Sequence, residues 1–125
     1  MVLRIFLSTA INVSEEEKAK TLQWANDIIW KEYDALRKDE DSVLIVSNFD
    51  ESPAPPDIRF PKLYHLSRAL EKMSMCDGFL LLKENDGSIK PGCLVELNAW
   101  LNSCGIYSPM IWNKAWKPEG EKKWD

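Results

Sequence analysis

At 125 residues, 45% of them apolar and 29% charged, the chain is long enough to bury the core of one domain and too hydrophobic for global disorder. A net charge of −4 excludes a general nucleic-acid binder, because neutralising phosphates needs a basic surface. No run approaches the ~20 apolar residues of a membrane span, which argues against a membrane partner.

In chain order, Val2 to Leu7 is a short apolar run that ends at the hydroxyls Ser8 and Thr9, as expected of a buried strand running into a loop. The start MVLRIFLSTAI leads straight into a polar segment and lacks a small-residue cleavage site, so it reads as structure and not as a leader. Ser14-Glu15-Glu16-Glu17 is a capping-box pattern. The helix behind it carries Leu22, Ala25, Ile29, Tyr33 and Leu36 at steps of three and four, with Arg37 and Lys38 near its end to complement the dipole. After a turn at Lys38 to Asp41, Val43-Leu44-Ile45-Val46 predicts a strand covered on both faces. Asn48 to Pro61 holds four of the seven prolines and is a long loop.

Leu63, Leu66, Leu70 and Met73 restart helical spacing, with Pro61 at or before the first turn. Asp77 and Gly78 lead into a third strand, Phe79-Leu80-Leu81-Leu82, and Asn85-Asp86-Gly87 is a tight-turn signal. Gly92 to Cys104 predicts a helix with the stripe Leu94, Leu97, Leu101 and Cys104, capped by Gly105. Pro109 to Trp112 is a last strand. Residues 1–113 thus form one domain, and 114–125 form a polar tail carrying Trp116, Trp124 and several lysines, suited to docking on the domain or a neighbouring subunit. The alternation of strands and helices predicts a flavodoxin/Rossmann-like open parallel sheet of four to five strands with helices on both faces.

In such a sheet ligands bind beyond the carboxyl ends of the strands, which gathers the loops Ser8 to Val13, Asn48 to Pro61 and Lys83 to Gly92. Gly92 at a helix start offers N–H groups and a dipole to an anion; Lys90 adds charge, and Ser8 and Thr9 add hydroxyls. Neither GxGxxG nor GxxxxGK[ST] occurs, so an ordinary turn-to-helix junction explains the same residues. Periodicity alone puts Glu96 on the solvent face of its helix. Asp77 needs a partner beside an apolar strand, and backbone N–H groups of a nearby turn would supply one. His65, the single histidine, borders an apolar stripe. Three cysteines without a CxxC pair suit reduced thiols in a cytoplasmic protein, and no cofactor or metal cluster is indicated.

The pattern SRALEKMSMCDGFLLL, a loop, PGCLVELNAWLNSCG and PMIW, together with RIFLSTAI at the start, resembles the nucleoside 2-deoxyribosyltransferase-like superfamily. That superfamily includes small, often phage-encoded proteins and deoxynucleoside monophosphate N-glycosidases. The resemblance implies a nucleoside or nucleoside monophosphate as ligand, Glu96 as a nucleophile on the sugar anomeric carbon, and Asp77 as a second catalytic carboxylate. It also implies Ser8, Thr9, Lys90 and Gly92 toward sugar or phosphate, and a homo-oligomer. A carboxylate nucleophile is sound chemistry for the reaction, as in retaining glycoside hydrolysis. Three positions depart from the pattern. Ala69 stands where active N-glycosidases carry a further carboxylate, Lys90 replaces a serine, and Ser8-Thr9-Ala10 replaces a glycine-rich turn. The acid for the leaving base is open among Asp77, Glu84, Asp86 and Asp57. The alternative is a non-catalytic nucleotide sensor or phage accessory protein that has lost part of the site.

Overall fold

The computed structural model describes residues 2–10, 13–32, 42–49, 54–104 and 108–113. Tyr33 to Asp41, Gly105 and the tail 114–125, each assigned a role from sequence, lie outside the described residues.

Strand β1, Val2–Ser8, leads to helix α1, Glu15–Glu32, whose Glu17 N–H donates to Ser14 Oγ at 3.1 Å, the expected cap. Strand β2, Ser42–Val46, is followed by a proline-rich loop and helix α2, Pro61–Ser74, with Pro61 in its first turn. Strand β3, Gly78–Lys83, ends in a turn where Gly87 takes a positive φ of 86° that a side chain would strain. Helix α3, Pro91–Ala99, continues into one wider π-type turn at Trp100–Cys104, and strand β4, Met110–Asn113, closes the order.

The four strands form one all-parallel sheet in the order β2-β1-β3-β4. This is an open, parallel α/β sheet with helices on both faces. Residues 3, 5 and 7 of β1 and 80 and 82 of β3 point one way, where they bury Trp24, Ala25, Ile28 and Ile29 of α1. Phe6, Phe79 and Leu81 point the other way, against Ala69 and Met73 of α2 and Cys93, Leu97 and Trp100 of the α3 segment. The period of two along a strand thus divides the protein into two cores. Phe79 stacks between Phe6 and Trp100, with centroids 5.8 and 5.5 Å apart.

Several expectations need correction. β2 is an edge strand and leaves Leu44 exposed, so it is not covered on both faces as its continuous apolar run suggested. In α2 the buried face is centred on Ala69 and Met73, while Leu63 is 62% exposed. In α3 the buried residues are Cys93, Leu97 and Trp100; Leu94 and Leu101, two members of the predicted stripe, face outward. Spacing of three to four admits more than one stripe along a leucine-rich helix, and packing against Phe6 and Phe79 selects the one that carries the tryptophan.

Candidate functional site

Strand order reverses between β1 and β3. The connection from β1 leads to one side of the sheet and that from β3 to the other, so their carboxyl ends part and leave a crevice. A cleft of about 320 Å³ opens beside this point, lined by Leu7 near the end of β1, Thr9 and Ala10 after it, Ser47 to Phe49 after β2, and Lys90, Gly92, Cys93 and Glu96 from the start of α3.

Glu96 stands at the centre of its polar contacts. It lies three residues beyond buried Cys93, which puts it at the margin of the buried face and not opposite to it. Ser8 Oγ donates to Glu96 Oε1 at 2.6 Å, and Asn48 Nδ2 donates to Oε2 at 3.0 Å. Asn48 Oδ1 in turn accepts from Lys72 Nζ at 3.2 Å, and the same ammonium donates to the Ser47 carbonyl at 3.0 Å. Two elements therefore bond to the carboxylate directly, and α2 joins them through Asn48. Burial pushes the Glu96 carboxyl above its ordinary range, and the Ser8 and Asn48 hydrogen bonds and the Lys72 cation oppose that rise.

Of the residues named from sequence, Ser8, Thr9, Lys90, Gly92 and Glu96 come together here. Their roles differ. Ser8 is spent on Glu96, whereas the hydroxyl of Thr9, a residue only 6% exposed, has no hydrogen-bond partner among the described residues and borders the cleft. Lys90 is the N-cap of α3 and Pro91 its first-turn proline, so the backbone N–H groups of Gly92 and Cys93 fall in the helix's unbonded first turn.

Asp77 does not join them. It precedes β3, at the amino end of the sheet, where its Oδ2 accepts from Arg4 N at 2.9 Å while its own N–H donates to Arg4 O at 2.7 Å. The partner it needed is backbone, and the carboxylate closes the β1–β3 ladder at the end remote from the cleft. Asp86 is held below its usual range by Ser88, whose N–H it accepts at 2.9 Å within the turn after β3. Neither Asp57 nor Glu84 lines the cleft. Ala69 packs in the core beneath the sheet.

Asn48 and Lys72 are residues of the Glu96 hydrogen-bond network that sequence reading passed over. From sequence Asn48 reads only as the first residue of a long loop, and Lys72 is not singled out. The only available signal was that Asn48 directly follows a strand, on the side where ligands bind. Among the described residues, no group of three or more His, Cys, Asp or Glu side chains is arranged to hold a metal ion, and no helix is long and apolar enough to cross a membrane.

Fold and site together define a parallel-sheet α/β protein with a carboxylate-centred crevice at its switch in strand order. No protein-family model, curated protein sequence or solved structure matches the chain. The chemistry of the crevice rests on its own side chains.

Proposed function

We propose that the crevice binds a deoxynucleoside or its 5′-monophosphate and that Glu96 cleaves or transfers at the N-glycosidic bond. The observation that carries this reading is a single part-buried carboxylate held by donors on both oxygens, Ser8 on one and Asn48 on the other, at the edge of a ligand-sized cleft. Two donors favour the ionised form, burial makes it more basic, and lone pairs remain on each oxygen for attack. One carboxylate oxygen would bond to the anomeric carbon as the bond to the base breaks, with the electron pair leaving on the base. Water or a second base would then displace the glycosyl ester and restore the carboxylate.

Groups suited to an anion line the same cleft. Lys90, the first-turn N–H groups of α3 and the unpartnered Thr9 hydroxyl suit a 5′-phosphate. No second carboxylate lines the cleft among the described residues, so the proton for the departing base would come from solvent or from a second copy of the chain. That same feature favours the second reading, a non-catalytic nucleotide sensor.

The test is a thermal-shift panel of nucleosides and nucleoside monophosphates, with each hit incubated and assayed chromatographically for released base. Wild type should bind and release base, and Glu96→Gln should bind without release. Binding without release in the wild type selects the sensor; no binding by any member of the panel overturns both.

A further inference from the structure

The amide of Asn48 has a donor end and an acceptor end of nearly the same shape, so its neighbours decide which way it points. One neighbour, the Lys72 ammonium on α2, has only donors; it meets Oδ1 at 3.2 Å and also binds the Ser47 carbonyl at 3.0 Å. Nδ2 is thereby turned to Glu96, 3.0 Å from Oε2. Reversed, the amide would set N–H groups against the ammonium and a carbonyl oxygen against the carboxylate, two repulsive contacts in place of two attractive ones.

We infer that Lys72 is a positioning residue that locks the Asn48 amide in the one orientation serving Glu96 as a carboxylate. This rests on the reading of Glu96 as the working group of the crevice. The lock acts on the proton as well. A protonated Glu96 would be served by the reversed amide, whose oxygen could accept from it, and Lys72 opposes that reversal. The other elements around Glu96 offer neutral groups, Ser8 and Thr9 from the end of β1 and Ser47 and Asn48 from the loop after β2. On its own helix Lys90 and Cys93 share the cleft.

The experiment follows the side-chain carboxyl of Glu96 by carbon-13 NMR through a pH titration of the full chain, its resonance identified by its loss in Glu96→Gln. Lys72→Met should move the midpoint upward, and Lys72→Arg should return most of the shift. In an Asn48→Leu background the effect of Lys72→Met should shrink, because the amide through which the lysine acts is gone. An unchanged midpoint in Lys72→Met overturns the inference. So does an equal shift with and without Asn48, which would leave Lys72 only a charge acting through space. If Lys72→Met does not fold, by circular dichroism, Lys72→Gln replaces it, keeping donors without the charge. Where base release is measurable, Lys72→Met should lower kcat about tenfold with KM little changed, the scale of one charge-assisted hydrogen bond. A wild type that releases no base would remove the proposed reaction while the carboxyl titration still decides the role of Lys72.

Discussion

Replacing Ser8 with alanine removes one hydroxyl whose loss should depend on pH. Ser8 is 1% exposed and its Oγ lies 2.6 Å from Glu96 Oε1, so no water can readily take its place. When Glu96 is ionised the deletion strips a donor from a part-buried carboxylate, at about 1.5–3 kcal/mol; when it is protonated the loss is that of a neutral hydrogen bond, about 0.5–1.5 kcal/mol. The sign follows from linkage. Burial holds the folded Glu96 above its ordinary value of 4.5, so the native state keeps the proton to higher pH than the unfolded chain. Stability from this group is therefore lost as pH rises from that ordinary value through the folded one, and Ser8→Ala raises the folded value further and deepens the loss. Urea unfolding of wild type and variant at pH 4 and pH 8, followed through buried Trp24 and Trp100, should show a deficit about 1–2 kcal/mol larger at pH 8. The difference should vanish in a Glu96→Gln background. An equal deficit at both pH values would refute the Ser8–Glu96 bond as the cause.

Two further outcomes test the frame around the site. Leu97→Ala should cost about 2–4 kcal/mol and Leu101→Ala less than about 1 kcal/mol, since Leu97 is 8% and Leu101 57% exposed; thermal melts would show comparable losses for the two if the stripe holding both leucines were the buried one. Asp77→Ala should lower stability by about 1 kcal/mol through loss of its bond to Arg4 N, and leave nucleotide binding in the thermal-shift panel unchanged. A loss of binding without a loss of stability would put Asp77 back at the site.

How much of the site was legible in the sequence depended on distance along the chain. Ser8, Thr9, Lys90 and Gly92 were found because each sits where a strand or turn hands over to a helix, a junction with its own composition, whereas Glu96, which periodicity put on the solvent face, was singled out only by the family resemblance. Asp77 received its catalytic role from the resemblance alone, while its residue context called for a backbone partner, which Arg4 N supplies. The place of Asp77 just before β3 puts it at the amino end of a parallel sheet, away from the cleft. Asn48 and Lys72 carry no periodic or motif signal, because their roles exist only toward residues distant in the chain, Lys72 toward Asn48, 24 residues away, and Asn48 toward Glu96, 48 residues away.

The sequence by itself determined the alternation of parallel strands and helices, the capped start of α1, the tight turn at Gly87 and the crevice-forming loops. These follow from side-chain periods and backbone preferences that act within a few residues. Tertiary structure alone decided which helix stripe is buried, that β2 lies at an edge, and that Glu96 is a held carboxylate and not a solvated one. Each of those depends on what packs against the residue from elsewhere in the chain. For Glu96 that is Ser8, 88 positions away, and Asn48, 48 positions away, brought to its two oxygens by the order of the strands.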